Sequence, residues 1–111
     1  MRAAVLVLTL GGALGGQEDD PRALKRWVEQ LGADFLEERQ AARQALEKAG
    51  ARAEGVLLEA LASPDHRVRG VALELLTLIK SERAMGPARA IFESDDDPGV
   101  RDSAFRLLRA L

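Results

Sequence analysis

The sequence predicts an all-α protein, a short α-solenoid of about three antiparallel helix pairs. Three observations carry that prediction. Ala (19) and Leu (18) supply 37 of the 52 apolar residues, against seven Val and two Ile, a helical rather than a β composition. Apolar residues recur at helical spacing in short runs separated by Gly, Pro and Asp. The runs also repeat. Val68-Arg69, Ala72 and Leu75-Leu76 return as Val100-Arg101, Ala104 and Leu107-Leu108 at an offset of 32, and an earlier copy at an offset of 30 reads Glu38-Arg39, Ala42, Ala45-Leu46.

The first sixteen residues stand outside this pattern. Met1-Arg2 is a short cationic start, residues 3–14 are uncharged and mostly apolar, and Ala13-Leu14-Gly15 supplies small residues at the spacing a signal peptidase reads. The stretch falls short of the ~20 apolar residues of a membrane helix. Residues 1–16 therefore read as a signal peptide and residues 17–20 as a short linker, with the protein exported to the periplasm or outside the cell and without a stable membrane anchor after cleavage. No cysteine is present to carry a lipid near the cleavage region.

Each helix has its own local reason to start and stop. Asp20-Pro21 is an N-cap followed by proline at the first helical position, and Leu24, Trp27, Val28 and Leu31 form one stripe behind it. After Gly32, Asp34 is placed to cap a second helix, with Glu37 at the capping-box position and Gly50 at its left-handed end. A third helix is expected over residues 51–62 with Leu57, Leu58 and Leu61 inward. Ser63-Pro64 opens a fourth carrying Val68, Val71, Ala72, Leu75, Leu76 and Ile79. Ser81 is expected to cap a fifth through Ala84, Ala88, Ile91 and Phe92, which Pro87 bends or shortens. Asp97-Pro98 starts the sixth. The units run over residues 21–50, 51–80 and 81–111, with Trp27, Phe92 and Phe105 on or beside stripes that face the stack.

Val-Arg-x-x-Ala-x-x-x-Leu after a Pro/Asp turn, repeated at about 30 residues, resembles the HEAT repeat, in particular the short type first noted in phycobilisome lyases. The resemblance covers residues 21–111 and departs from the pattern at Glu38, where the usual valine is missing. It implies a right-handed solenoid that binds a protein or peptide without catalysis. A lyase-like or chaperone-lyase subunit is the alternative that the subfamily suggests. It also implies that the turn Asp and helix Arg pair, often between neighbouring units, which places Asp65 with Arg69 and Asp97 with Arg101. Four residues apart near a helix start, each pair would also support its own helix.

The residues themselves point away from chemistry. With no Cys, the chain has no disulfide, thiol nucleophile or thiolate metal site, and its formal charge of -2 (-3 without Arg2) provides no basic field for nucleic acid. His66 has no second imidazole to share a metal with. Asp95-Asp96-Asp97 lacks the alternating spacing of a calcium loop. Ser63, Ser81 and Ser94 read as capping or turn hydroxyls. No catalytic, metal or cofactor residue is assigned.

Function is therefore expected on a surface. The outward positions of the second helices are Gln40, Gln44 and Glu47, then Gly70, Glu74 and Thr77, then Asp102, Arg106 and Arg109. This candidate partner face runs from neutral or acidic to basic along the stack. Phe105 and Ala110, flanking the stripe of the last helix, add the expectation of self-association through that helix.

Overall fold

The computed structural model describes residues 20–111. The expected export signal, residues 1–16, and residues 17–19 of the expected linker lie outside the described residues. Six α-helices follow in order: α1 (Pro21–Gln30), α2 (Leu36–Ala49), α3 (Glu54–Ala60), α4 (His66–Leu78), α5 (Met85–Ser94) and α6 (Pro98–Ala110). Short 3-10 turns at Gly50–Ala53 and Glu82–Ala84 lead into α3 and α5. Among the described residues there is no strand.

The helices pack as three pairs, α1 on α2, α3 on α4 and α5 on α6, with α1 against α3 and α4 against α6 joining successive pairs. The repeat alanines explain how closely they approach. Ala42, Ala72 and Ala104, one per unit at the offsets of 30 and 32, are completely buried, as are Ala53 and Ala84 at the ends of the 3-10 turns and Ala88 on α5. Leucines fill the space between, and Leu31, Leu46, Leu57, Leu73, Leu76 and Leu107 are all sealed from solvent. A core of small and aliphatic side chains of this kind gains its stability from apolar area removed from water.

Local rules decide most helix ends. Asp20 accepts from the Arg22 amide at 2.8 Å with Pro21 behind it, and Asp97 accepts from the Val100 amide at 2.9 Å with Pro98 behind it. Gly50 has φ 59° and ψ -130°, a conformation open in practice only to glycine. Pro87 stands in the first turn of α5, where its missing N–H costs nothing, and the preceding turn is 3-10 rather than α. At the end of α4, Lys80 takes the left-handed position usually given to glycine, with φ 56°, while Ser81 donates its amide to the Leu76 carbonyl.

Four expectations change. α2 starts at Leu36 with Phe35 at the N-cap, and no side chain caps it. Asp34 stands one residue before the N-cap, and it is Arg39 that turns back to bond the carbonyls of Ala33 and Asp34 at 2.8 and 3.0 Å. α4 starts at His66, capped by Asp65 rather than by Ser63, whose hydroxyl instead accepts from the Asp65 amide. Ser81 does not cap either: it is buried and donates to Glu54 at 2.6 Å, tying the second pair to the third. Phe92 and Phe105 are not core residues. They stack on one another at 5.6 Å between centroids, at the surface.

The pairing of Asp65 with Arg69 and Asp97 with Arg101 is also corrected. Asp65 spends its carboxylate on the amide and guanidinium of Arg67, and Asp97 spends its own on the Val100 amide. Arg69 reaches 26 residues ahead, to Asp95, in a two-pronged bond of 2.8 and 2.9 Å. The side chains are 12% and 7% exposed. Arg101 bonds the backbone carbonyl of the same Asp95 at 2.6 Å. The inter-unit link that the resemblance implied is present, with a different aspartate.

Candidate functional site

One bond recurs through the stack and positions the second helices. Arg39, Arg69 and Arg101 each donate Nη1 to the carbonyl six residues earlier, Ala33 at 2.8 Å, Ser63 at 2.8 Å and Asp95 at 2.6 Å. Each arginine thus ties the first turn of its helix to the turn that precedes it, satisfying carbonyls that would otherwise need water. α2, α4 and α6 therefore start in the same way against their own turns, and Arg69 reaches on from α4 to the next turn at Asp95.

Across those starts runs an open groove of about 410 Å³. Leu36, Val71 and Val100 supply its apolar floor, and Gly70 lies between them. Polar groups rise around it: Gln40 and Arg43 from α2, His66, Arg67 and Glu74 from α4, and Ser103 from α6. Arg43 and Glu74 meet at 2.6 Å, bridging α2 and α4 where those two helices otherwise touch little. Arg67 is anchored twice, to the Gly32 carbonyl at 3.0 Å and to Asp65 at 3.3 Å. The hydrogen bond from Arg67 holds the Asp65 carboxyl, outside the groove, below its ordinary value.

A sequence model of HEAT repeats matches residues 24–109. The chain belongs to the HEAT-repeat family. No curated protein matches it. HEAT repeats bind protein partners, and in this HEAT array the groove spans the second helix of every pair. No described helix is long and apolar enough to cross a membrane, and among the described residues no three acidic or imidazole groups lie close enough to hold a metal ion.

The structure divides the candidate face read from the repeat. Gln40, Gly70 and Glu74 line the groove. Gln44 and Glu47 are exposed farther along α2, outside it. Thr77 is half-buried and turns its hydroxyl onto the Leu73 carbonyl at 2.7 Å. Asp102 and Arg106 pair with each other at 3.0 Å, and Arg109 lies over the Phe105 ring at 5.7 Å. None of these last three lines the groove, because α6 presents Ser103 there, one residue and so about 100° round the helix from Asp102. The acidic-to-basic gradient therefore divides between two places on the HEAT array.

Arg43, Arg67 and Ser103 are among the groove residues that the repeat alignment passed over. Arg43 carried a signal: it occupies the position of Leu73 and Phe105, so a charge stands where the other two units are apolar.

Proposed function

We propose that the protein is an exported, non-enzymatic module that holds a protein or peptide partner in the groove formed by α2, α4 and α6. The groove carries this reading. Its floor takes an apolar side chain from each of three helices, and its rim offers anchored donors from Arg43 and Arg67, with Gln40 beside them, to a backbone or an acidic side chain. Export rests on the cationic start, apolar stretch and small-residue site of residues 1–16.

Gly70→Gln tests the groove without disturbing the fold. A Cβ at Gly70 meets nothing nearer than Val100 Cγ2 at 3.9 Å, and the rest of the side chain then fills the floor. Proteins captured by the full chain from the exporting cell should be lost from the Gly70→Gln variant. Equal capture by both proteins would remove the groove as the binding surface. N-terminal sequencing of exported material should begin near Gly16 or Gln17, and an intact Met1 there would refute cleavage.

A further inference from the structure

One arginine of the groove lacks the carboxylate that its repeat counterpart holds. Arg39 and Arg69 stand at the same position of successive units, and each gives Nη1 to the carbonyl six residues back at 2.8 Å. Arg69 then closes Nε and Nη2 on Asp95, in the turn of the next unit, at 2.8 and 2.9 Å. Arg39 adds only a second bond from Nη1, to the Asp34 carbonyl at 3.0 Å. Among the described residues no acceptor meets its Nε or Nη2.

The difference traces to one residue. At the offset of 32, Ser63 stands where the next turn has Asp95. Ser63 repeats the local bonds of that position. Its carbonyl accepts from Arg69 as that of Asp95 accepts from Arg101, and its side chain accepts from the amide two residues on, at 3.1 Å against 2.9 Å for Asp95. What it lacks is the carboxylate that would face back to the preceding unit. The neighbouring Asp65 does not substitute, because the amide and guanidinium of Arg67 hold it. An arginine fork matched to a carboxylate is thus built on α2 and left open.

The open fork belongs to the groove. Arg39 is half-buried and lines it together with Leu36 and with Arg43, one helical turn on. Arg43 gives Nη1 to Glu74, and among the described residues its Nε and Nη2 also meet no acceptor. Two arginines at this spacing repel one another, and an anion between them removes that repulsion. The charged groups of the lining are Arg39, Arg43 and Arg67 against Glu74 and Asp97, a positive surplus in a chain of formal charge -2. Resting on the groove as the binding surface, we propose that Arg39 anchors an aspartate or glutamate side chain of the protein partner, held by Nε and Nη2 as Asp95 is held by Arg69. The residue flanking that carboxylate is apolar and lies on Leu36 and Val71.

The probe is N-acetylaspartate N-methylamide, one aspartate side chain without terminal charges, titrated into the isotope-labelled full chain while NMR follows the arginine Nε–Hε signals. Arg39 should shift saturably, with a dissociation constant in the millimolar range of a single charge-assisted fork. Arg69, whose fork is filled, is the internal control and should stay nearly still. Ser63→Asp, which restores a carboxylate at the position of Asp95, should weaken the probe about tenfold or more while leaving every arginine in place. Circular dichroism melts confirm that this variant remains folded. Equal movement of Arg39 and Arg69, an equal response to the asparagine analogue, or an unchanged titration in Ser63→Asp would each overturn the proposal. So would clearly tighter binding of inorganic phosphate, which would make a phosphoryl group the ligand. Capture lost from Gly70→Gln with an unresponsive Arg39 would keep the groove and remove its acidic anchor. Equal capture by Gly70→Gln with a responsive Arg39 would keep the anchor and remove the groove.

Discussion

Replacing Asp95 by Asn should separate the inter-unit link from the rest of the packing. The carboxylate accepts three hydrogen bonds, from Arg69 Nε at 2.8 Å, from Arg69 Nη2 at 2.9 Å and from the Asp97 amide at 2.9 Å. An amide keeps one oxygen, so in either orientation its NH2 faces an Arg69 donor, and in one of them the Asp97 N–H as well. Arg69, nearly buried, keeps at most one of its two bonds to the side chain, loses the charge that faced it, and is left otherwise with the Ser63 carbonyl and the exposed Asp96 at 3.6 Å. Breaking a fully buried pair costs about 3–5 kcal/mol, and with the Ser63 bond retained we expect about 2–3 kcal/mol here. For a domain of this size that lowers Tm by roughly 10–20 °C. Burial by itself pushes the Asp95 carboxyl up, but the Arg69 bond, the Asp97 amide and the arginine charge outweigh it, and the group titrates below its ordinary 3.8. A depressed carboxyl contributes stability above its unfolded value and loses it as pH falls through the folded one. The gap between wild type and Asp95→Asn in urea denaturation should therefore be constant near neutrality and close in acid. A gap under about 0.5 kcal/mol at pH 7, the range of an ordinary surface change, or one that widens in acid, would refute the assignment of Arg69 to Asp95.

Two further outcomes follow from the same geometry. Gly70→Ala should stabilise by about 0.5–1 kcal/mol, because the helix interior gains a better helix former and the new Cβ meets only ordinary contact at 3.9 Å. Gly32→Ala should destabilise by about 1–2 kcal/mol, since its Cβ falls 2.6 Å from Asp65 Oδ2 and pushes that carboxylate off the amide it caps. Chemical denaturation giving both variants the same sign would contradict the placement of these two glycines. Leu73→Ala should cost about 3–4 kcal/mol by opening a cavity, and Phe105→Ala, at the equivalent but exposed position, about 1 kcal/mol or less. Equal losses in thermal melts would show that Phe105 is covered in solution.

The fold was legible wherever a signal is local or periodic. An aspartate before a proline caps a helix through amides two or three residues on, so Asp20 and Asp97 could be read directly. The period of 30 to 32 marked Ala42, Ala72 and Ala104 as contact points, and all three are fully buried. The cap at Asp34 failed because the helix starts one residue later, with Phe35 at the cap position, while Arg39 bonds the turn's carbonyls. The partners of Arg69 and Arg101 failed for a related reason: backbone amides and Arg67 claim Asp65 and Asp97 first, leaving the arginines to a residue outside their own helices. The candidate face was read to within one residue on α4, but α6 is turned so that Ser103, not Asp102, faces the groove.

Arg43, Leu73 and Phe105 show where that legibility ends. By sequence they are one position of one repeat, on the second helix of each pair. In the folded molecule the first is ion-paired across to Glu74, the second is sealed inside, and the third stands open beside Phe92. The sequence by itself determined that each would project from its helix on the same side, because helical period and capping act within a few residues. Only the tertiary structure decided what each meets, because that depends on the distance and rotation between units some 30 residues apart, which no local signal encodes.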